Sequence, residues 1–441
     1  MKKQCTLVIL FFLIAIPKTE AQDYWSKIEK ETPTLGIAEI YQKINTPEFK
    51  LKLVKASQTV AALSPHKSSN FDFTPGDRLE IRDKDGMYHL GDLNIRIKQA
   101  NSTWISYSTA TKRAAITPLK TSETILAAAD LANTLPKDIP VKINRYYELD
   151  GDDLVLRFEI KNISVKKIEI GALGIPMIFN NILEGKSLDE AHAQNVFYDP
   201  YIGMDAGYLE VKRLDGKGRT LLVLPHKNMS FEAYRPLLDD PTPRSTVFEG
   251  FHEWMVYSKA YSENEWKGVK QWNKPSSLQI KPNETKNFAL KLILSKGIKN
   301  IQQTLIEKER PVAIGIPGYV LPQDVKAKLF LKYKNEIKSV EAEPKGALKI
   351  YASGTNKKGY QTYEVQGLKW GRALLTITYE NDLQQTINYI VIKPESEVVK
   401  DFGHFLTTEQ WFDEANDPFN RNPSIISYDY EDKKQVTQDS R

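Results

Sequence analysis

From residue 51 onward the chain is dominated by short stretches in which apolar and polar side chains alternate. Residues 51–55, 79–82, 93–98, 104–109 and 141–149 repeat with period two, as do 154–162, 208–214, 220–225 and 287–294. Alternation sends successive side chains to opposite faces of an extended backbone, so these stretches predict half-buried antiparallel strands. Hairpin dipeptides punctuate them: Asp150-Gly151 precedes 154–162, and Asp215-Gly216 separates 208–214 from 220–225. Helical character is confined to 122–133 and 298–310. Strands this numerous over a span of roughly 270 residues predict a large antiparallel sandwich, not an α/β fold.

Pro311 opens a second pattern. Short strands are expected at 312–316, 328–333, 337–342, 347–352, 361–365, 372–379 and 386–392, with turn residues between them. That spacing predicts a small immunoglobulin-like sandwich. The region is basic, with 12 Lys/Arg against 7 Asp/Glu over 311–394. Its lysines alternate with apolar residues, as on solvated strand faces that blunt exposed edges. The last stretch, 395–441, turns acidic, with 11 Asp/Glu against 5 Lys/Arg, and carries Phe402, Phe405, Trp411, Phe412, Phe419, Tyr428 and Tyr430. A disordered tail would be poor in aromatics, so this stretch reads as some helix leading into a further domain. The expected organisation is therefore mainly β: a supersandwich of galactose-mutarotase-like type over 22–305, an immunoglobulin-like sandwich over 306–394, and a linking segment over 395–441.

Composition narrows the class. The 441 residues are 41% apolar and 27% charged, with 61 Lys+Arg against 56 Asp+Glu. These ordinary fractions exclude wholesale disorder, a collagen-like repeat and a polytopic membrane protein. The near-balance of charge argues against a dedicated nucleic-acid partner. Lys2 and Lys3 precede an unbroken apolar run over 7–16, and Thr19-Glu20-Ala21 supplies small residues at the expected cleavage site. Residues 1–21 therefore read as a secretory signal peptide whose apolar core is too short to span a bilayer. Cleavage leaves 420 residues, and removing Lys2, Lys3, Lys18 and Glu20 lowers the net charge from +5 to +3. The sole cysteine, Cys5, leaves with that segment, so disulfides and cysteine-based zinc sites are excluded. The expected location is periplasmic or secreted, with no membrane insertion after cleavage.

The sequence lacks G-x-x-x-x-G-K-[ST], H-E-x-x-H, C-x-x-C and G-x-S-x-G, which removes the signatures of several enzyme classes. Asp83 to Gly86 matches the start of a calcium loop but lacks its remaining ligands, and reads as a hairpin turn. No cofactor is expected and no metal site is assigned, although Asp199 and Asp205 are loop carboxylates of a type calcium accepts. Chemistry-bearing residues concentrate between Phe179 and Trp272. Carbohydrate recognition needs flat aromatic faces for the apolar side of a sugar ring, with carboxylates and amides for its hydroxyls. Tyr198, Tyr201, Trp254, Trp266 and Trp272 supply the first; Asp199, Asp205, Glu253, Glu263 and Glu265 supply the second; His252 adds a titratable group. The competing reading packs these aromatics in the sandwich core or under loops. Glu263 and Glu265 would share a face of a strand, and Glu249 and Glu253 a face of a helix. Neither spacing identifies the two carboxyls a glycosidase requires. His192 is an acid/base candidate by type alone, and Glu184, Asp189, Asp239 and Asp240 read as loop residues.

Several stretches carry a family resemblance: Gly174-Ile-Pro-Met-Ile-Phe-Asn-Asn, the run from Ala191 to Tyr208, Leu237-Leu-Asp-Asp-Pro-Thr-Pro-Arg, Phe248-Glu-Gly-Phe-His-Glu-Trp and Leu406-Thr-Thr-Glu-Gln-Trp-Phe. On these the chain resembles an uncharacterised family of exported proteins from polysaccharide-degrading bacteria. The resemblance implies an N-terminal β-supersandwich, an immunoglobulin-like module and a C-terminal (α/α)6 toroid of six-hairpin glycosidase type. It further implies that 401–441 leads into a toroid mostly absent from this chain, and that a catalytic carboxylate would come from that toroid. The implied function is the β-rich part of a glycoside-hydrolase-like protein that binds or acts on a poly- or oligosaccharide, incomplete as a catalyst by itself. Its partners would be carbohydrate and the helical domain. Two other readings stay open: a noncatalytic structural or carbohydrate-binding module, and a polysaccharide lyase, which needs a Tyr or His base and a charge-neutralising group.

Overall fold

The computed structural model describes residues 40–66, 71–99, 102–227 and 229–438. The expected signal peptide lies outside them. The chain divides into two compact units, Met1–Ile202 with Gly207–Ile301, and Gly203–Ala206 with Gln302–Arg441. The architecture is mainly β, as the alternation predicts, and among the described residues every strand pair is antiparallel except Val320–Pro322 beside Gln384–Ile392.

Among the described residues the first unit holds three sheets. An eight-stranded sheet runs Val196–Tyr201, Tyr208–Arg213, Thr220–His226, Thr285–Ser295, Asp153–Asn162, Val141–Asp150, Ile125–Asp130, Thr117–Pro118. A six-stranded sheet runs Ala233–Pro236, His252–Tyr257, Ile168–Met177, Asn94–Gln99, Ile105–Ser108, with Leu278–Ile280 pairing the start of Ile168–Met177. Tyr41–Asn45, Phe49–Val54 and Val60–Pro65 form the third. The apolar positions of the alternating stretches meet in one core that includes Ile95, Ile97, Ile143, Leu156, Phe158, Leu173, Ile175, Val223, Trp254 and Leu290. Asp150 pairs directly with Asp153, so Gly151, at φ 62°, turns the hairpin in two residues as its dipeptide predicts.

Two expected elements differ. Residues 122–133 form no helix: Ile125–Asp130 is a strand paired with Val141–Asp150, and only Ala132–Thr134 makes a 3₁₀ turn. The alanines behind the helical expectation are there because Ala127, Ala128 and Ala129 are all at most 1% exposed in the sheet, where tertiary pairing overrides propensity. Residues 79–82 form no strand either, following the 3₁₀ turn Gly76–Arg78. The alternation there does not sort inside from outside, because Arg82, one of its polar positions, is itself buried, donating to the Tyr88 carbonyl at 2.6 Å and pairing with Asp240 at 3.3 Å. The helical expectation at 298–310 matches a 3₁₀ turn Ile298–Asn300 continuing into the helix Ile301–Glu307.

In the second unit, Val312–Ile316, Lys326–Lys332, Gln361–Gly367 and Leu348–Thr355 form one four-stranded sheet. Val320–Pro322, Gln384–Ile392, Gly371–Tyr379 and Ile337–Glu343 form another. Leu329, Leu331, Val365, Leu375, Ile377, Ile387 and Val391 fill the core of this sandwich. The helix Glu395–Thr408 follows and buries no residue. Beyond it, Phe412 and Ile426 are buried, whereas Phe402, Trp411, Phe419 and Tyr430 are exposed. Among the described residues no helix is long and apolar enough to cross a membrane.

Candidate functional site

The six-stranded sheet turns one face to the core and the other to a cleft of about 400 Å³. Strand alternation sorts the side chains. On His252–Tyr257, Trp254 and Val256 enter the core while Glu253 and Met255 line the cleft. On Asn94–Gln99, Ile95 and Ile97 join the core while Asn94 and Arg96 line the cleft. Ala172 and Gly174 come from Ile168–Met177, Arg235 from Ala233–Pro236, and Ser106 and Ser108 from Ile105–Ser108. Tyr88, Leu238, Asp239 and Tyr261 stand among the other lining residues.

Glu253 lies at the floor, 1% exposed. Its carboxylate accepts from Asn94 Nδ2 at 2.6 Å and from Arg235 Nε. A carboxylate this deep is tolerated only when paired and hydrogen-bonded, and both conditions are met. Burial works against the charged form of Arg235, and Glu253 overrides it by holding the guanidinium charged. Asn94 spends its amide on Glu253, which leaves its buried Oδ1 without a hydrogen-bond partner. Arg96 donates two bonds to Glu265, at 2.8 and 2.6 Å, and lies 3.8 Å above the Tyr261 ring. Arg235 lies over the same ring at 4.9 Å, and Trp266 stacks on Tyr261 with centroids 4.8 Å apart.

Buried ion pairs fix the cleft's upper wall. Asp240 accepts the Tyr88 backbone N–H at 2.9 Å and pairs with Arg82, which places the Tyr88 hydroxyl to donate to Asp239 at 2.6 Å. Burial, then Asp239, push the Tyr88 hydroxyl far above its usual pKa, so it acts as a proton-bearing donor. Asp92 anchors the same loop through Arg113, with two contacts at 2.7 Å.

Gly174 is there for close approach. A Cβ at that position would sit 2.3 Å from Glu253 Oε2. We expect Gly174→Ala to displace the carboxylate from Asn94 and Arg235 and to cost about 1–3 kcal/mol, read as a lower urea midpoint at unchanged slope. Gly174→Val should cost more than Gly174→Ala, and two variants of wild-type stability would show that the carboxylate is not seated there.

The expected site residues divide among several places. Glu253 lines the cleft; Glu265 and Trp266 back its wall through Arg96 and Tyr261. Glu263 accepts from Trp104 Nε1 at 2.7 Å beside that wall. Glu263 and Glu265 follow the short helix Lys259–Ser262 and not a strand; Glu253 is on a strand and not a helix. Trp254 is a correction to the sugar-platform expectation: it is fully buried, stacked on Phe231 at 3.7 Å, and its indole N–H donates to the Ser230 carbonyl at 2.7 Å. Tyr261 likewise has both faces occupied, so the cleft offers hydrogen-bonding groups and the exposed Leu238 in place of a stacking platform.

Tyr198 and His252 fall on the inner side of the sheets. His252 stacks on Tyr234 at 4.8 Å, and the Tyr198 hydroxyl accepts from Asn181 at 2.8 Å. Burial holds the His252 imidazole below its usual pKa and therefore neutral. Asp199 is exposed near Lys212 at 3.4 Å, Tyr201 packs on Tyr208 at 5.2 Å, and Trp272 is 47% exposed. Asp205 belongs to the second unit, where it accepts the Gln384 backbone N–H at 3.0 Å. Among the described residues no group of three or more His, Cys, Asp or Glu could hold a metal ion. Sequence reading did not place Asn94, Arg96, Arg235, Tyr88 or Asp239 in a site; the polar half of the alternation at 93–98 was the available signal for the first two.

Against solved structures, the chain is similar to a polysaccharide lyase with a TM-score of 0.67 at 13% identity, over 91% of this chain and 54% of that one. It therefore spans about half the length of that enzyme, and the likeness is one of fold. A galactose mutarotase-like protein from Clostridium acetobutylicum aligns with a TM-score of 0.37 at 11% identity, over 58% of this chain and 94% of that one. A search of curated proteins gives no match. A family model does match, over residues 52–441, and on that match the chain belongs to the family of unknown function DUF5695.

Proposed function

We propose that this chain is the carbohydrate-recognition part of an exported carbohydrate-active protein, and that the cleft over Glu253 is where it holds a saccharide. The observation that carries the reading is one sheet face presenting hydroxyl, amide, guanidinium and carboxylate groups around about 400 Å³. That volume falls within the roughly 300–1,000 Å³ of small-molecule sites. Export rests on the signal-like segment at 1–21, and the carbohydrate class draws support from the fold shared with a polysaccharide lyase.

Recognition suits these groups better than bond cleavage. Both oxygens of Glu253 are engaged, one by Arg235 and the other by Asn94, so neither is free to reach a glycosidic oxygen. Elimination would need a Tyr or His base and a free positive group to neutralise a uronate carboxylate. The Tyr88 hydroxyl instead donates its hydrogen bond to Asp239, and both guanidiniums are bound to carboxylates. The test is affinity electrophoresis against a polysaccharide panel. We expect at least one polysaccharide to retard the protein, and an Arg96→Ala, Asp239→Ala double variant to weaken that retardation about tenfold or more. Retardation left intact in the double variant would move the site elsewhere.

A further inference from the structure

The most exposed charge around the cleft is negative. The Arg96 and Arg235 side chains are 17% and 14% exposed, each folded onto the Tyr261 ring and bonded to a carboxylate. The carboxylates that answer them face outward: Glu265 is 50% exposed and Asp239 is 59% exposed. Asp239 and Glu253 line the cleft with the two guanidiniums and Glu265 backs Arg96 from outside it, so three carboxylates answer two guanidiniums. Asn94 Oδ1 is an unpaired acceptor beside them, and Asp239 accepts from Tyr88 with one oxygen. An incoming ligand thus meets acceptors and negative charge first. A sugar hydroxyl donates to such groups, whereas a uronate or sulfate opposes them.

From this we infer that the cleft selects uncharged, hydroxyl-rich saccharides and rejects uronate-bearing or sulfated ones. The inference rests on the carbohydrate reading of the same cleft and adds the ligand class to it. The selecting element is Glu265, which keeps Arg96 from serving as an anion site. An anionic sugar would have to displace that two-point contact or lie against Asp239, and like-charge juxtaposition in a partly desolvated site is strongly unfavourable.

The experiment is titration calorimetry of the whole chain with paired oligosaccharides of equal length, one neutral and one carrying glucuronate or galacturonate. It is run at about 25 mM and about 300 mM salt. We expect the neutral member to bind about tenfold tighter or more at low salt, with affinity that changes less than about twofold across the salt range. The anionic member should gain affinity as salt screens the repulsion. Glu265→Gln frees Arg96 and should narrow the preference several-fold; Glu265→Asp, which keeps the charge, should retain most of it. Tighter binding of the uronate-bearing member overturns the inference while leaving the carbohydrate reading standing. So does a preference that Glu265→Gln leaves unmoved. Binding of neither member overturns the carbohydrate reading and this inference with it.

Discussion

Glu253→Ala is expected to lower the stability of the chain by about 3–5 kcal/mol and to abolish saccharide binding in the cleft. Glu253 is 1% exposed and Arg235 only 14%, so removing the carboxylate strands a guanidinium in a site with little water. It also leaves Asn94 Nδ2 without its acceptor. The unpaired charge, more than the lost attraction, sets the size of the effect. Glu253→Gln retains an acceptor for Asn94 and fills the same volume above Gly174, so it should cost visibly less. Urea unfolding of the two variants measures this. Equal losses would show that the charge alone, and neither the retained volume nor the acceptor for Asn94, is what the position requires.

The second large effect is on acid stability, through His89. This imidazole is 3% exposed, and its Nε2 has no hydrogen-bond partner among the described residues. Burial, reinforced by Arg113 and Arg82, pulls its pKa from 6.5 down to about 3. The unfolded chain therefore takes up this proton more readily than the folded one. The contribution is complete above pH 6.5 and is lost as the pH falls through about 3, amounting to ~5 kcal/mol at 1.36 kcal/mol per pH unit. Asp72 acts with the opposite sign. Burial raises its pKa from 3.8 to about 6, so its contribution is complete below pH 3.8 and is lost as the pH rises through about 6, amounting to ~3 kcal/mol. His89 outweighs Asp72: stability should fall by ~2 kcal/mol between pH 6.5 and 3 from these two groups. Below pH 3.8 Asp92 adds to the loss. Burial alone would raise its pKa, but Arg113 brings it down to about 2. In His89→Leu the opposing gain from Asp72 is no longer outweighed by His89, so stability should fall less than in the unaltered protein as the pH drops from 6.5 to 4. Parallel pH profiles for the two proteins would show that His89 is already accessible to protons.

Much of the fold was legible because period-two alternation is a local property. Residues 93–98, 141–149, 154–162 and 287–294 each form strands close to the positions expected from pattern alone. The central strand Ile168–Met177 carries no such pattern. It has a bulge after Ile170 and another after Leu173, and past Glu169 it is apolar or small on both faces, where Trp104 covers Gly171 and Glu253 covers Gly174. The alanines at 127–129 misled for a related reason: small residues mark close packing as readily as they mark helix.

The site was half legible. Glu253 and Glu265 were recognisable by type, but the groups that hold them are mostly remote in sequence. Arg235 is 18 residues from Glu253, whereas Asn94 is 159 from Glu253 and Arg96 is 169 from Glu265, pairings that only the sheet order creates. Trp254 shows the converse error. A run of aromatics and acids reads as one surface, yet a strand sends neighbours to opposite faces, and here it sent Glu253 to the cleft and Trp254 to the core.

The most direct test is a crystal structure with the tightest-binding oligosaccharide bound. We predict sugar density over Glu253, with hydroxyls within hydrogen-bond distance of Asn94 Oδ1 and Asp239. Density that instead lies beside Tyr198, Tyr234 and His252, with the cleft over Glu253 holding solvent alone, would contradict a saccharide site on this sheet face.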